Sequence, residues 1–313
     1  MAHILTDSMP MVSVRILTYN SSRYIIETLD SVYDQTYKNI ELVISDDCSQ
    51  DNTVNLCQGW IDSHRSRFVN VVFLTSPVNT GVCANSKRSL EAATGDWIKG
   101  LGGDDLLVPT SIEQFISFVQ DAQCDICASK MGYIDDEGHD INIRHGVVHS
   151  KYMDYLQLSY TEQLKLVKQR IIVPGPVLFY SRKILQQTGG PDPRFGSADE
   201  WSFLYKVLEG GFRIFGVDAL LVKYRVRKGS LSHIGGKLNS RYYRQCNRRF
   251  LKEVIIPDLK KNREWMLLWH DYIYYLVMGD EKWKVLNLLD PFWYVHDGWN
   301  SVKARLGIRH KSN

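Results

Sequence analysis

Strand and helix signals alternate toward the N-terminus with only short polar connections between them, and no other feature limits the fold as tightly. Val12 to Asn20 reads as a strand, after which Tyr24, Ile25, Leu29, Val32 and Tyr33 recur at helical spacing. A second strand, Ile40 to Ser45, ends at Asp46-Asp47-Cys48-Ser49-Gln50-Asp51-Asn52. Ser49 and Asp51 are candidate caps for a helix through Trp60 and Ile61, and Val69 to Leu74 makes a third strand. This β-α-β-α-β order predicts an α/β fold, a largely parallel sheet with helices on both faces. Ligands of such sheets bind outside the carboxyl ends of the strands, where Thr18-Tyr19-Asn20, Asp46-Asp47 and Asp104-Asp105 all fall.

The third of these clusters has the most pointed chemistry. An apolar strand signal from Trp97 to Leu101 runs into Gly102-Gly103, then two adjacent carboxylates, then Pro109, which can open a helix. Paired carboxylates delivered through a flexible turn suit a hard divalent cation whose shell phosphate oxygens complete. The same residues are also ordinary turn chemistry, so the stretch alone leaves both readings open. Neither G-x-G-x-x-G nor G-x-x-x-x-G-K-[ST] follows a strand, which disfavours a dinucleotide site or a P-loop.

With 313 residues and 44% hydrophobic content, the chain can build one large α/β domain plus a C-terminal extension. Residues 1–10 lack the basic start and long apolar core of a signal peptide, so cytoplasmic synthesis is the expectation. The six cysteines are scattered, against a disulfide framework; Cys124-Asp125-Ile126-Cys127 has no second pair to complete a zinc site and reads as buried strand. No fixed-period repeat or low-complexity tract is visible.

Charge is uneven. Residues 237–313 hold 15 Lys/Arg against 8 Asp/Glu, whereas residues 1–236 hold 23 against 27. Lys237, Arg241, Arg244, Arg248 and Lys252 recur at helical spacing, followed by an aromatic-rich amphipathic run from Trp265 to Leu276 that is too short and polar to span a bilayer. A cationic stripe followed by tryptophans and tyrosines suits peripheral docking on an anionic membrane surface. A solvated helix face and a helix packed on the first domain account for the same residues. A nucleic-acid partner is disfavoured, because the basic arm stands beside an acidic crevice and the pI of 8.4 is modest.

A family resemblance rests on ordered motifs: Val12-Ser13-Val14 through Thr18-Tyr19-Asn20, Leu29-x-Ser31-Val32-x-x-Gln35-Thr36-Tyr37, Ile40 to Asp51, Asn79-Thr80-Gly81, Ala93 to Ile98 and Gly103-Asp104-Asp105. They resemble the GT-A-fold glycosyltransferases of family 2, and the likeness continues through Gly189-Gly190 and Asp199-Glu200-Trp201 to Tyr224-Arg225 and Ser230-Leu231-Ser232. Within the family the wording of Asn79 to Pro109 is most similar to bacterial O-antigen repeat-unit enzymes. The resemblance implies a GT-A catalytic domain over residues 11–235, a Rossmann-like mixed sheet with a nucleotide-binding half to about residue 108 and an acceptor half beyond it. Residues 236–313 form a helical extension.

It also implies roles. Thr18 and Tyr19 meet the nucleotide base, Asn20 also binds the nucleotide, and Asp47 accepts a hydrogen bond from the base N–H; helix capping is the alternative reading for Asp46-Asp47. Arg88 bridges the nucleotide or its phosphates. Asp104 touches the ribose or the metal shell, and Asp105 ligates Mn²⁺ or Mg²⁺. The family often has another aspartate where this chain has Gly102. The usual Glu-Asp pair is reversed here to Asp199-Glu200, with Glu200 the candidate base by its spacing to Lys206 and Asp199 the alternative. Pro174 to Phe179 lines the acceptor side. A loop from Tyr224 to His233 closes over the diphosphate, with Arg225 or Arg227 neutralising it and His233 read as a surface residue.

The implied reaction is inverting transfer of a hexose from a UDP-sugar to an undecaprenyl-diphosphate-linked sugar at the cytoplasmic face of the inner membrane. A sugar nucleotidyltransferase and a non-catalytic nucleotide- or glycan-binding module remain as alternatives. Donor sugar, linkage and oligomeric state, a homo-oligomer included, stay open.

Overall fold

Strands that are apolar on both faces need cover on both faces. The computed structural model, which describes residues 9–142, 152–227 and 241–279, provides it. The chain divides into two compact units, Met1–Leu238 and Asn239–Asn313. In the first, strands β1 (Val12–Thr18), β2 (Ile40–Asp46), β3 (Asn70–Thr75) and β4 (Trp97–Gly102) alternate with helices α1 (Ile25–Tyr33), α2 (Thr53–His64) and α3 (Val82–Ala92). There follow β5 (Leu106–Leu107), α4 (Ser111–Ala122), β6 (Ile126–Ile134), α5 (Tyr152–Gln157) and α6 (Tyr160–Gln169). Then come β7 (Leu178–Ser181), α7 (Arg182–Thr188), α8 (Asp199–Glu209) and β8 (Phe215–Arg225).

Among the described residues the strands form one sheet in the order β3-β2-β1-β4-β7-β6-β8-β5. The first four pair in parallel, as the strand–helix alternation predicts. β7 enters antiparallel between β4 and β6, so the sheet is mixed. Every residue of β2 is buried, and in β1 only Leu17 is not. Trp97 on β4 stacks on Phe179 of β7 at 5.2 Å, which stacks on Phe115 of α4 at 4.9 Å. Gln35, wholly buried after α1, donates to the Val108 carbonyl and accepts from the Ile112 N–H, fixing α4 against α1.

Of the two candidate caps, Asp51 acts from two positions before the helix, accepting from the Thr53 N–H at 3.0 Å. Ser49 does not cap; its side chain turns back to Asp46. Cys127 is buried in β6, Cys124 lies in the turn before it, and all six cysteines are free thiols.

In the second unit, α9 (Arg241–Phe250) passes through a π-helical turn, Leu251–Ile255, into α10 (Ile256–Lys261), followed by α11 (Trp265–Gly279). Phe250, Leu251, Ile255, Leu259, Leu267 and Ile273 are buried. The expected cationic stripe is interrupted: the Arg248 guanidinium lies over the Tyr275 ring at 4.3 Å, and Lys237 is outside the described residues. The α11 face carrying Trp265, Trp269 and Tyr272 is open, at 62%, 54% and 52% exposure. No helix among the described residues is long and apolar enough to cross a membrane.

The turn into β4 is set by Gly95, where a Cβ would come within 2.6 Å of the Ser13 backbone nitrogen and 2.8 Å of the Met11 carbonyl oxygen. Backbone cannot swing aside as a side chain can. Gly95→Ala should therefore destabilise the first unit by about 1–3 kcal/mol, the usual penalty of overpacking, read as a lower urea midpoint.

Candidate active site

The carboxyl ends of β2, β1 and β4 lie side by side, with Thr18 in register with Asp46 and Leu17 with Gly102. The Thr18 hydroxyl donates to Asp46 Oδ2 at 2.7 Å, and Ser49 donates to the same carboxylate through its N–H at 2.8 Å and its hydroxyl. Asp46 thus orders the turn at Ser49 rather than capping α2. Asn20 adopts a left-handed φ of 51°, a conformation asparagine tolerates, and accepts from the Gln50 N–H at 2.8 Å. Tyr19 is exposed beside it.

Asp47 is buried and receives the Thr80 N–H, the Thr80 hydroxyl, the Gly81 N–H at 2.7 Å and Arg88 Nη2 at 3.1 Å. Burial works to raise its pKa, but these donors outweigh burial and hold the carboxyl below its ordinary value. Arg88 also bonds Asn85 Oδ1 at 2.9 Å and the Ser45 hydroxyl, so here it braces Asp47 and the Asn79-Thr80-Gly81 loop.

At the end of β4 each aspartate commits one oxygen to the protein. Asp104 Oδ2 accepts from Arg227 Nε at 2.7 Å, and Asp105 Oδ1 accepts from the Arg225 N–H at 3.1 Å. The other two oxygens face one small space: a Cβ on Gly102 would lie 2.9 Å from Asp104 Oδ1 and 3.2 Å from Asp105 Oδ2. Burial pushes the Asp105 carboxyl well above the ordinary range, and the neighbouring Asp104 charge pushes it further. Two hard oxygens aimed at one point and electrostatically crowded fit a divalent cation. Among the described residues no three His, Cys, Asp or Glu side chains gather around a metal position, so of these residues Asp104 and Asp105 would be the ligands, with phosphate oxygens or water beside them.

Arg225 and Arg227 differ. The Arg225 guanidinium is wholly buried and is held by the Asp104 carbonyl at 2.9 Å, Glu27 Oε2 at 2.6 Å and the carbonyls of Asp135 and Asp136. It is a clamp on protein acceptors rather than a phosphate ligand. Arg227, its side chain 30% exposed, is the arginine at the surface beside Asp104. Residues 228–233, including His233, lie outside the described residues.

On the other side, Gly196 at φ 52° turns the chain into α8, whose first two residues are Asp199 and Glu200. The buried Trp201, donating its ring N–H to the Val167 carbonyl at 2.6 Å, anchors the helix. Both carboxyls are surrounded by protein yet keep some solvent contact, as groups lining a cleft do. Burial raises both, and for Glu200 the Asp199 charge adds to it, against an opposing hydrogen bond from the Gly175 N–H. A helix N-terminus favours the charged form; burial outweighs it here.

With this geometry in view, the family description "Glycosyl transferase family 2" matches residues 13–189. The chain belongs to that family. A Haemophilus influenzae protein described as an uncharacterized glycosyltransferase is 30% identical over 51% of this chain and 61% of its own length. The Escherichia coli UDP-Glc:alpha-D-GlcNAc-diphosphoundecaprenol beta-1,3-glucosyltransferase WfaP is 26% identical over 72% of this chain and 80% of its own. Among solved structures, the Pyrobaculum calidifontis mannosyltransferase PcManGT in complex with GDP-Man and Mn²⁺ superposes with a TM-score of 0.59 at 15% identity, over 95% of this chain and 84% of that one. The fold is GT-A.

For this family 2 glycosyltransferase the structure gathers Thr18, Asn20, Asp47, Arg88, Asp104, Asp105 and Arg227 along one sheet edge, and sets Asp199 and Glu200 at the start of α8. Sequence reasoning passed over Lys99, Arg15 and Glu27, and took Gly175 only as part of the Pro174 to Phe179 segment. Lys99 and Arg15 had a signal: each is a charge inside a strand whose neighbours are apolar, and a buried charge requires partners. Gly175 had none.

A raised carboxyl pKa has a stability consequence whose sign is fixed. The folded chain holds the Glu200 proton more tightly than the unfolded chain, so stability falls as pH rises from the ordinary carboxylate range through the raised value. Glu200→Gln removes that loss, so its thermal midpoint should exceed the wild type's at about pH 8 and converge with it at about pH 4. Parallel midpoints across that range would show that Glu200 is not strained by its charge.

Proposed function

We propose that the protein transfers a hexose from a UDP-sugar to a hydroxyl of a lipid-diphosphate-linked glycan, with inversion, in surface-polysaccharide synthesis. The observation that carries this reading is the convergence of Asp104 Oδ1 and Asp105 Oδ2 on the space above Gly102. A divalent cation, Mn²⁺ or Mg²⁺, bound by those oxygens would stabilise charge on a departing diphosphate. Arg227 adds a second positive group there. Glu200, with a carboxyl lifted above the ordinary range, takes the proton from the acceptor hydroxyl as the new bond forms. Thr18, Tyr19 and Asp47 frame the base, and the WfaP name supports a UDP donor and a lipid-linked acceptor.

The nucleotidyltransferase alternative needs free backbone N–H groups after β1 to cradle phosphate. Those of Asn20, Ser21 and Ser22 are already given to Ser49, Thr53 and Asp51. A binding module would bind UDP without turning over any donor, which a coupled UDP-release assay with UDP-glucose, UDP-galactose and their N-acetyl forms distinguishes. In that assay Asp105→Asn should abolish most turnover and weaken Mn²⁺-dependent UDP binding in calorimetry, and EDTA should do so reversibly. Glu200→Gln should lower kcat by at least ~10²-fold with donor affinity near normal, and Asp199→Asn should be milder. Metal-independent turnover would remove the cation, and the reverse ranking would move the base to Asp199.

For the second unit we propose peripheral docking on an anionic lipid surface through Trp265, Trp269 and Tyr272, with Lys260 and Lys261 at the same end of α11. Tryptophan and tyrosine settle at the headgroup level, and adjacent lysines add an attraction that salt screens within about 10 Å at 0.1 M. The protein should sediment with phosphatidylglycerol vesicles at low salt and be released partly by high salt. Trp265→Ser with Trp269→Ser should remove the salt-resistant part, and Lys260→Ser with Lys261→Ser the salt-sensitive part. Failure of the wild type to bind at low salt rules the docking out.

A further inference from the structure

Lys99 is a charged residue in the middle of β4, wholly buried between β1 and β7. A hydrocarbon side chain there would avoid the desolvation of an ammonium, so its retention asks for a task. Its Nζ donates to the Gly100 carbonyl at 2.7 Å and to the Pro176 carbonyl, 6.0 Å from the centre of the Phe115 ring. Burial lowers its pKa to about 7, with the Asp105 carboxylate opposing that shift and Arg15 adding to it.

The acceptor of that second bond matters. Pro174 and Pro176 have no N–H, so this segment cannot be laced to a neighbouring strand through those positions. A side chain must hold it instead. Gly175, between them, gives its N–H to Glu200 and lies so close that a Cβ on it would be 2.9 Å from Glu200 Cδ. Any shift of the segment is therefore a shift of Glu200.

We propose that Lys99 is a positioning residue for the base: by holding the Pro176 carbonyl it fixes the Gly175 N–H that seats the Glu200 carboxylate, and it ties that seat to the aspartates at the end of its own strand. The inference rests on the reading of Glu200 as base.

Lys99→Met keeps an unbranched side chain one atom shorter and removes the donor. In the full chain, kcat for UDP-sugar turnover should fall about 10- to 100-fold, the scale of one hydrogen bond to a charged group, with donor KM changed less than about threefold. The N–H of Gly175 favours the ionised carboxyl, so loosening it should move the acid limb of the kcat profile to higher pH, which a loss of packing alone would not do. Gly175→Ala acts on the same seat, so the double variant should lose less than the product of the two single losses. If Lys99→Met does not unfold cooperatively on heating, Lys99→Leu, which also removes the donor, is read in the same way. Wild-type kcat in these variants, or a loss with the acid limb unmoved, overturns the proposal. Glu200→Gln assayed in parallel separates the two ideas: an active Glu200→Gln overturns the reading of the base, whereas an inactive one beside an unaffected Lys99→Met overturns only the role of Lys99.

Discussion

One buried guanidinium holds the sheet edge together. Arg225, at the end of β8, reaches Glu27 on α1, the Asp104 carbonyl after β4 and the Asp135 and Asp136 carbonyls after β6, while its own N–H holds Asp105. A charge so deeply desolvated is several kcal/mol unfavourable unless its donors are satisfied. Acceptors from three segments far apart in sequence satisfy them, and the ring of Tyr24 at 4.7 Å closes one flat side. The conformation of the Asp104-Asp105 turn follows: its backbone is pinned from one side, which turns the remaining carboxylate oxygens toward Gly102.

The start of α8 obeys the opposite logic. Among the described residues neither Asp199 nor Glu200 forms an ion pair, and burial pushes both toward the neutral form, opposed at Asp199 by the Arg15 charge. A sequence optimised for stability would not put two carboxyls there. Functional sites are where such local conflicts persist, with stability supplied elsewhere, in this helix by Trp201, Leu204, Val207 and Leu208.

Much of this was legible in the sequence, for identifiable reasons. The parallel half of the sheet declares itself because β1, β2 and β4 are short apolar runs that end at polar clusters, and strand ends are where such sheets place ligands. The antiparallel β7 was not legible: Leu178–Ser181 is four residues long, and its direction depends on where β4 and β6 leave a gap. Asp47 and Arg88 were both picked out from their motifs. Their mutual bond was not, because it joins residues from different elements. Arg225 and Arg227 look alike in sequence and part only in three dimensions, where one is enclosed and the other is not.

The Pro174-Gly175-Pro176 seat has a thermodynamic corollary. Two rings fix backbone torsions before any ligand arrives, and Lys99 anchors what the rings leave free. On the proposed reading of Glu200 as the base, its carboxyl needs little ordering when an acceptor binds, because its freedom has already been surrendered during folding. On that reading the temperature dependence of turnover is dominated by activation enthalpy, with the entropic part arising from the substrates rather than from the protein.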